Sequence, residues 1–150
     1  MKVSLALLAD AANVSREGKL NILGVFDTIH AKSFPVVHAQ MKLVLRLEAS
    51  AAELGNKHDV EIKLMDQEGG PVLGIKGQVT PRAVPAGHPL KMDQVVSLNN
   101  VTFKKAGRYE FAILIDNDQK TTVPLVVAEL PKPAPGARPE EGEGEGGLLH

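Results

Sequence analysis

"KKAGRYEFAILID", residues 104–116, is the stretch whose reading decides the fold. Lys104 to Gly107 is turn chemistry, and beyond it Tyr109, Phe111, Ile113 and Ile115 alternate with Arg108, Glu110 and Ala112. A period of two sustained over that length is a strand with one buried face. The only tyrosine of the chain stands two residues after the glycine, at the mouth of this strand. Its phenol is either a functional group or a clasp at the strand's end.

Working outward, the same period recurs. Downstream, "DNDQK" (116–120) reads as a tight hairpin turn. "TTVPLVVAE" (121–129) follows, with Thr121, Val123, Leu125 and Val127 on one face. Pro124 falls on the other phase and cannot donate to a ladder, so this last strand is expected at a sheet edge. Upstream, "DQVVSLNNVTF" (93–103), "VLGIKGQV" (72–79) and "HDVEIKLMD" (58–66) are further strands, the last with Val60, Ile62 and Leu64 inward. "MKLVLRLEA" (41–49) turns Met41, Leu43, Leu45 and Leu47 to the core and Lys42, Arg46 and Glu48 to a wet face. "KLNILGVFDTI" (19–29) is a long apolar strand in which Gly24 marks a bulge or a close backbone approach. "MKVSLALLADAA" (1–12) begins like a secretion signal, but signals run to about 15–30 residues. Its Val3, Leu5, Leu7 and Ala9 alternate, so it is expected to be a strand. About eight strands punctuated by turns, with no long helix, predict an all-β antiparallel sandwich.

Composition bounds the function. The chain has 150 residues, enough for one domain with a real core. Aromatic residues are only 3%, which disfavours stacking platforms for single-stranded nucleic acid or sugars. With 17 basic and 18 acidic side chains there is no electrostatic footprint for nucleic acid or an anionic membrane. No segment approaches the length of a membrane span. Cysteine is absent, which removes disulfides, thiolate metal sites and cysteine nucleophiles and fits a reducing, cytoplasmic setting. Residues 1–130 make the sandwich domain. Residues 131–150, "PKPAPGARPEEGEGEGGLLH", carry four prolines and four glutamates, and Leu148 and Leu149 are their only bulky apolar side chains. Such a tail is expected to be disordered.

Two resemblances follow from these residues. Gly107-Arg108-Tyr109-Glu110-Phe111 resembles the tyrosine corner of immunoglobulin-like sandwiches, with Phe111 where extracellular members place a cysteine. That likeness implies an immunoglobulin-like sandwich without its disulfide, in which Ile62 or Leu64 takes the place of the core tryptophan. The stretches "VSLALLADAANVSREGKLNILGVFDTI", "FPVVHAQMKLVLRLEAS" and "GRYEFAILIDN" resemble an uncharacterised family of small bacterial proteins, a domain of unknown function. Gly24, Phe26 and Asp27 match its "G-x-F-D" strand. This second resemblance implies a sandwich and no activity.

Catalytic chemistry finds little purchase. No Gly-x-Ser-x-Gly, His-Glu-x-x-His or phosphate loop is present. Asp116, Asn117 and Asp118 put three oxygen-bearing side chains in one turn, a weak candidate for Ca²⁺; the same residues are also ordinary turn formers. No cofactor is expected. The reading is a non-catalytic protein-binding or structural module with a protein as partner, its oligomeric state left open. Its surfaces would be loops 80–92 and 116–120, the last strand around Pro124, and the tail tip Leu148–Leu149. The alternative is a small-molecule- or metal-dependent enzyme gathering two or more of His30, His38, His58, His88 and Asp93 in one pocket.

Overall fold

The computed structural model describes residues 1–82 and 90–131. The alternating segments become nine strands: β1 Lys2–Val14, β2 Leu20–Phe26, β3 Thr28–Ala31, β4 Val36–Ala49, β5 His58–Asp66, β6 Pro71–Val79, β7 Leu90–Phe103, β8 Gly107–Ile115 and β9 Asp118–Glu129. The only helical piece among the described residues is one 3₁₀ turn, Ala51–Glu53. Strands β2-β1-β4-β7 form a four-stranded sheet and β3-β9-β8-β5-β6 a five-stranded one. Neighbours run antiparallel except β3 and β9, which are parallel. The long segment 19–29 supplies two strands instead of one. At Asp27 the chain leaves the first sheet for the second, and the Val126 N–H donates to the Asp27 carbonyl at 2.8 Å.

The two sheets share one core. Leu8, Met41, Leu43, Leu45, Leu47, Leu98 and Phe103 of the first pack with Ile62, Leu64, Tyr109, Phe111, Ile113, Ile115, Val123 and Leu125 of the second. Each such side chain contributes about 1.5–3 kcal/mol on leaving water. The inward phases read from β4, β5 and β8 therefore hold, including Ile62 and Leu64 at the centre of β5.

Two phase changes escape a simple alternation. The β1–β4 register shifts between Val3 and Leu5, so Val3 packs against the core while Leu5, Leu7 and Ala9 turn outward. The phase read for β1 is thus broken at Ser4, since one extra residue moves every later side chain to the other face. In β4 and β7 the register is unbroken, yet core positions pass from Leu98 to Val101 and Phe103. Asn100, with φ of 53°, supplies the bend.

Gly24 marks a close approach and not a bulge. The β1–β2 register runs without a shift, and a Cβ at Gly24, whose φ is 71°, would lie 2.5 Å from Asp10 Oδ2. The expectation that β9 is an edge strand holds only in part. Its C-terminal half is covered by β3, with Thr28–Ala31 beside Val126–Glu129, because the crossing at Asp27 delivers a strand there. Only the half before Val126 is free. Pro124 sits in that half, in the same backbone phase as Val126, so its missing N–H would have pointed away from β8. The expected tail with Leu148 and Leu149, and His88 with the rest of 83–89, lie outside the described residues.

Candidate functional site

The residues of the opening motif are structural. Tyr109 is 5% exposed, and its hydroxyl donates to the Lys105 carbonyl at 2.6 Å. Its ring meets Phe103 of the opposite sheet edge-on, with centroids 4.9 Å apart. Phe111 is fully buried two residues on. Gly107 has a φ of 151°, a region that residues with a Cβ rarely adopt. The phenol thus spans the turn between β7 and β8 and ties its backbone to the core.

The turn 116–118 is occupied by its own chemistry. Asp116 and Asn117 have φ of 50° and 64°, the left-handed pair that a two-residue hairpin turn demands. Asp116 Oδ2 accepts a hydrogen bond from His58 Nδ1 at 2.6 Å, and its Oδ1 accepts the Asp59 N–H at 2.9 Å. His58 Nε2 faces the Glu53 carbonyl at 3.4 Å. Glu53 in turn holds the N-terminal ammonium at 2.6 Å. These bonds set the charges. The carboxylate of Asp116, with the Glu53 carbonyl adding to it, raises His58 above the usual histidine value. His58 and the Asp59 amide lower Asp116, and the N-terminal ammonium lowers Glu53. An acceptor beside each nitrogen favours the protonated imidazole and fixes the ring in place. Asp118 pairs with Lys120 at 2.8 Å. Among the described residues no group of three His, Cys, Asp or Glu side chains is placed to hold a metal ion.

The remaining residues of the enzyme alternative are dispersed. His38 lies tilted against Phe26, Asp93 binds Arg46 through both carboxylate oxygens at 2.7 and 3.1 Å, and His30 is exposed on β3.

The outward faces of the two sheets differ, and alternation alone had not signalled this. The second sheet presents Asp59, Glu61, Lys63, Lys76 and Gln78 from β5 and β6, an ordinary wet face. On the first sheet, the register sets Leu7, Val44 and Val95 side by side and continues to Leu5 beside Arg46. Towards β2 it sets Ala9 beside Val25 and Ala11 beside Leu23. Val44 and Ala9 are wholly buried on this outward face, while Leu23 is 72% and Val25 62% exposed. A signal existed in the sequence: "LALLA" (5–9) and "LVL" (43–45) are apolar on both phases.

No helix among the described residues is long and apolar enough to cross a membrane. No curated protein matches the chain. Among protein-family models, that of a family of unknown function, DUF6941, matches residues 4–128. The matched span runs from β1 to β9 and takes in both sheets, with Gly24, the tyrosine clasp and the two-faced apolar β1. The chain belongs to this family of unknown function.

Proposed function

We propose that the protein is a non-catalytic, protein-binding module on an immunoglobulin-like sandwich, with the outward face of the first sheet as its contact surface. The observation that carries the reading is the exposed pair Leu23 and Val25 on the outward face of the first sheet, next to half-buried Leu5, Leu7 and Val95 around the buried Val44. The polar outward residues of β5 and β6 provide the internal contrast. Support for the immunoglobulin-like assignment comes from the tyrosine clasp and from the second sheet, in which a short parallel strand borders the final one. A cysteine-free chain suits a reducing compartment, and the reading places it in the cytoplasm of a bacterium.

Against the enzyme alternative weighs that both nitrogens of His58 face acceptors within the chain. The test is affinity capture with tagged wild-type chain and with Val25→Lys, whose side chain is exposed enough to leave the fold intact. Specific capture of a protein by the wild type and its loss in the variant is the expected result. Equal capture by both, or none by either, refutes the assignment of this face.

A further inference from the structure

Beside the crossing at Asp27 a groove opens between β9 and the β1–β2 hairpin. Leu7, Val25 and Phe26 line it from the first sheet and Val123 and Pro124 from the second, and its volume is about 320 Å³. That is within the range of small pockets, about 300–1,000 Å³. Apart from Asp27, the side chains named here are apolar.

The backbone beside the groove decides what can enter it. The Val126 N–H turns to the Asp27 carbonyl, so Pro124, two residues earlier, turns the same way and has no N–H to offer. A strand added along this half of β9 would lose a ladder bond at Pro124. The groove therefore suits apolar side chains better than an added strand.

The chain itself carries such side chains. In residues 131–150 the only bulky apolar ones are Leu148 and Leu149, and the 17 residues before them hold four prolines, five glycines and four glutamates. The chain leaves β9 at Leu130, whose N–H donates to the Ala31 carbonyl at 2.7 Å. From Leu130 back to Pro124 is six residues of strand, about 20 Å at about 3.3 Å per residue. A glycine-rich tether of 17 residues has a root-mean-square reach of about 21–25 Å. Effective concentration is greatest, at about a millimolar level, when the reach of a tether matches the span. A separate molecule at micromolar concentration must bind the groove about a thousandfold more tightly to compete.

We propose that the groove between β9 and the β1–β2 hairpin is the docking site of the chain's own Leu148 and Leu149, which return along β9 to cover it. Docked there, the pair lies against Val25, and a protein arriving at the outward face of the first sheet must displace it. The docking itself does not depend on that face being a contact surface.

The absence of cysteine allows a direct test, because His150→Cys then carries the single thiol of the chain. With a nitroxide on that thiol, the amide signals of Leu7, Val25, Phe26 and Val123 in the full chain are expected to lose more than half their intensity. Those of Lys76 and Gln78 on β6, three strands from β9, should lose far less. Leu148→Asp/Leu149→Asp should abolish the selective loss. Pro124→Glu is exposed on the second sheet, away from the face that Val25→Lys probes, and should lower the docked-to-free ratio at least tenfold with unchanged circular dichroism. Equal loss at all six positions, or a selective loss that survives either variant, overturns the proposal. So does a selective loss in isotope-labelled chain without nitroxide when nitroxide-bearing chain is mixed in, since the occupant is then a second copy. Selective loss within one chain, together with protein capture indifferent to Val25→Lys, would uphold the docking and sink the contact face alone.

Discussion

Replacing Tyr109 with Phe isolates one atom of the clasp. The hydroxyl donates to the Lys105 carbonyl at 2.6 Å, and nothing else of the side chain changes in the variant. A neutral intramolecular hydrogen bond nets about 0.5–1.5 kcal/mol. Lys105 is exposed, so water reaches its carbonyl once the phenol is gone, and the cost should lie near 1 kcal/mol without the larger penalty of an orphaned buried acceptor. The ring remains against Phe103 and keeps its edge-on contact. For a domain of this size that loss lowers Tm by about 3–4 °C. Tyr109→Ala removes the ring as well and should cost about 3–5 kcal/mol, as large aromatic truncations do. Urea unfolding followed by circular dichroism measures both, with equal m-values showing that the same transition is compared. A Phe variant as stable as the wild type would refute the clasp. A loss above about 3 kcal/mol would refute the single-bond reasoning.

Two further perturbations follow from the bonds at the sandwich ends. Asp116→Asn keeps the left-handed turn but removes the partner of His58. The raised His58 supports the fold fully below the ordinary histidine value and loses that support as pH rises through its folded value; the lowered Asp116 does the reverse in acid. The Tm gap between wild type and variant should therefore be widest between those two titrations and shrink on the alkaline side, and a pH-independent gap across about pH 5–9 would refute the ion pair. Gly24→Ala should cost about 1–3 kcal/mol, because a Cβ there meets both a φ of 71° and the Asp10 carboxylate. Adding Asp10→Ala should recover only part of the loss in thermal melts, and full recovery would show that the contact, not the backbone, demands glycine.

The sequence was legible where one face of a strand met the core and the other met water. In β5 and in β8 as far as Phe111 the core residues had polar neighbours, so Ile62, Leu64 and Phe111 could be assigned at once and Ile113 followed in phase. It misled where both phases were apolar. Val3, Leu5 and Leu7 look like one face, yet a register shift of a single residue at Ser4 divides them between core and surface. No local signal marks that shift, because serine alternates there as well as any polar residue. The β3 crossing was hidden for a related reason: "GVFDTI" continues the apolar pattern of β2, and only pairing with the distant Val126 separates the two strands. The Tyr109 bond is local, spanning four residues, and so lies within reach of a short motif. His58 and Asp116, 58 residues apart, meet only through the β5–β8 pairing, and no spacing rule joins them.

Strand pairing also explains why the most exposed apolar side chains lie on the β1–β2 hairpin. Residues Lys2–Ala9 of β1 pair with β4, whereas Asp10–Val14 pair only with β2. The β1–β2 hairpin therefore parts from β4 as a ribbon of two strands, with Val14, Leu23 and Val25 exposed on it. A two-stranded ribbon in water is marginal, and a third strand with an apolar face is what makes such a unit stable. Here β4 gives that support at the base only. Leu23 and Val25 are exposed because the strand that would flank them on the far side of β2 is missing, whereas the outward residues of β5 and β6 are polar.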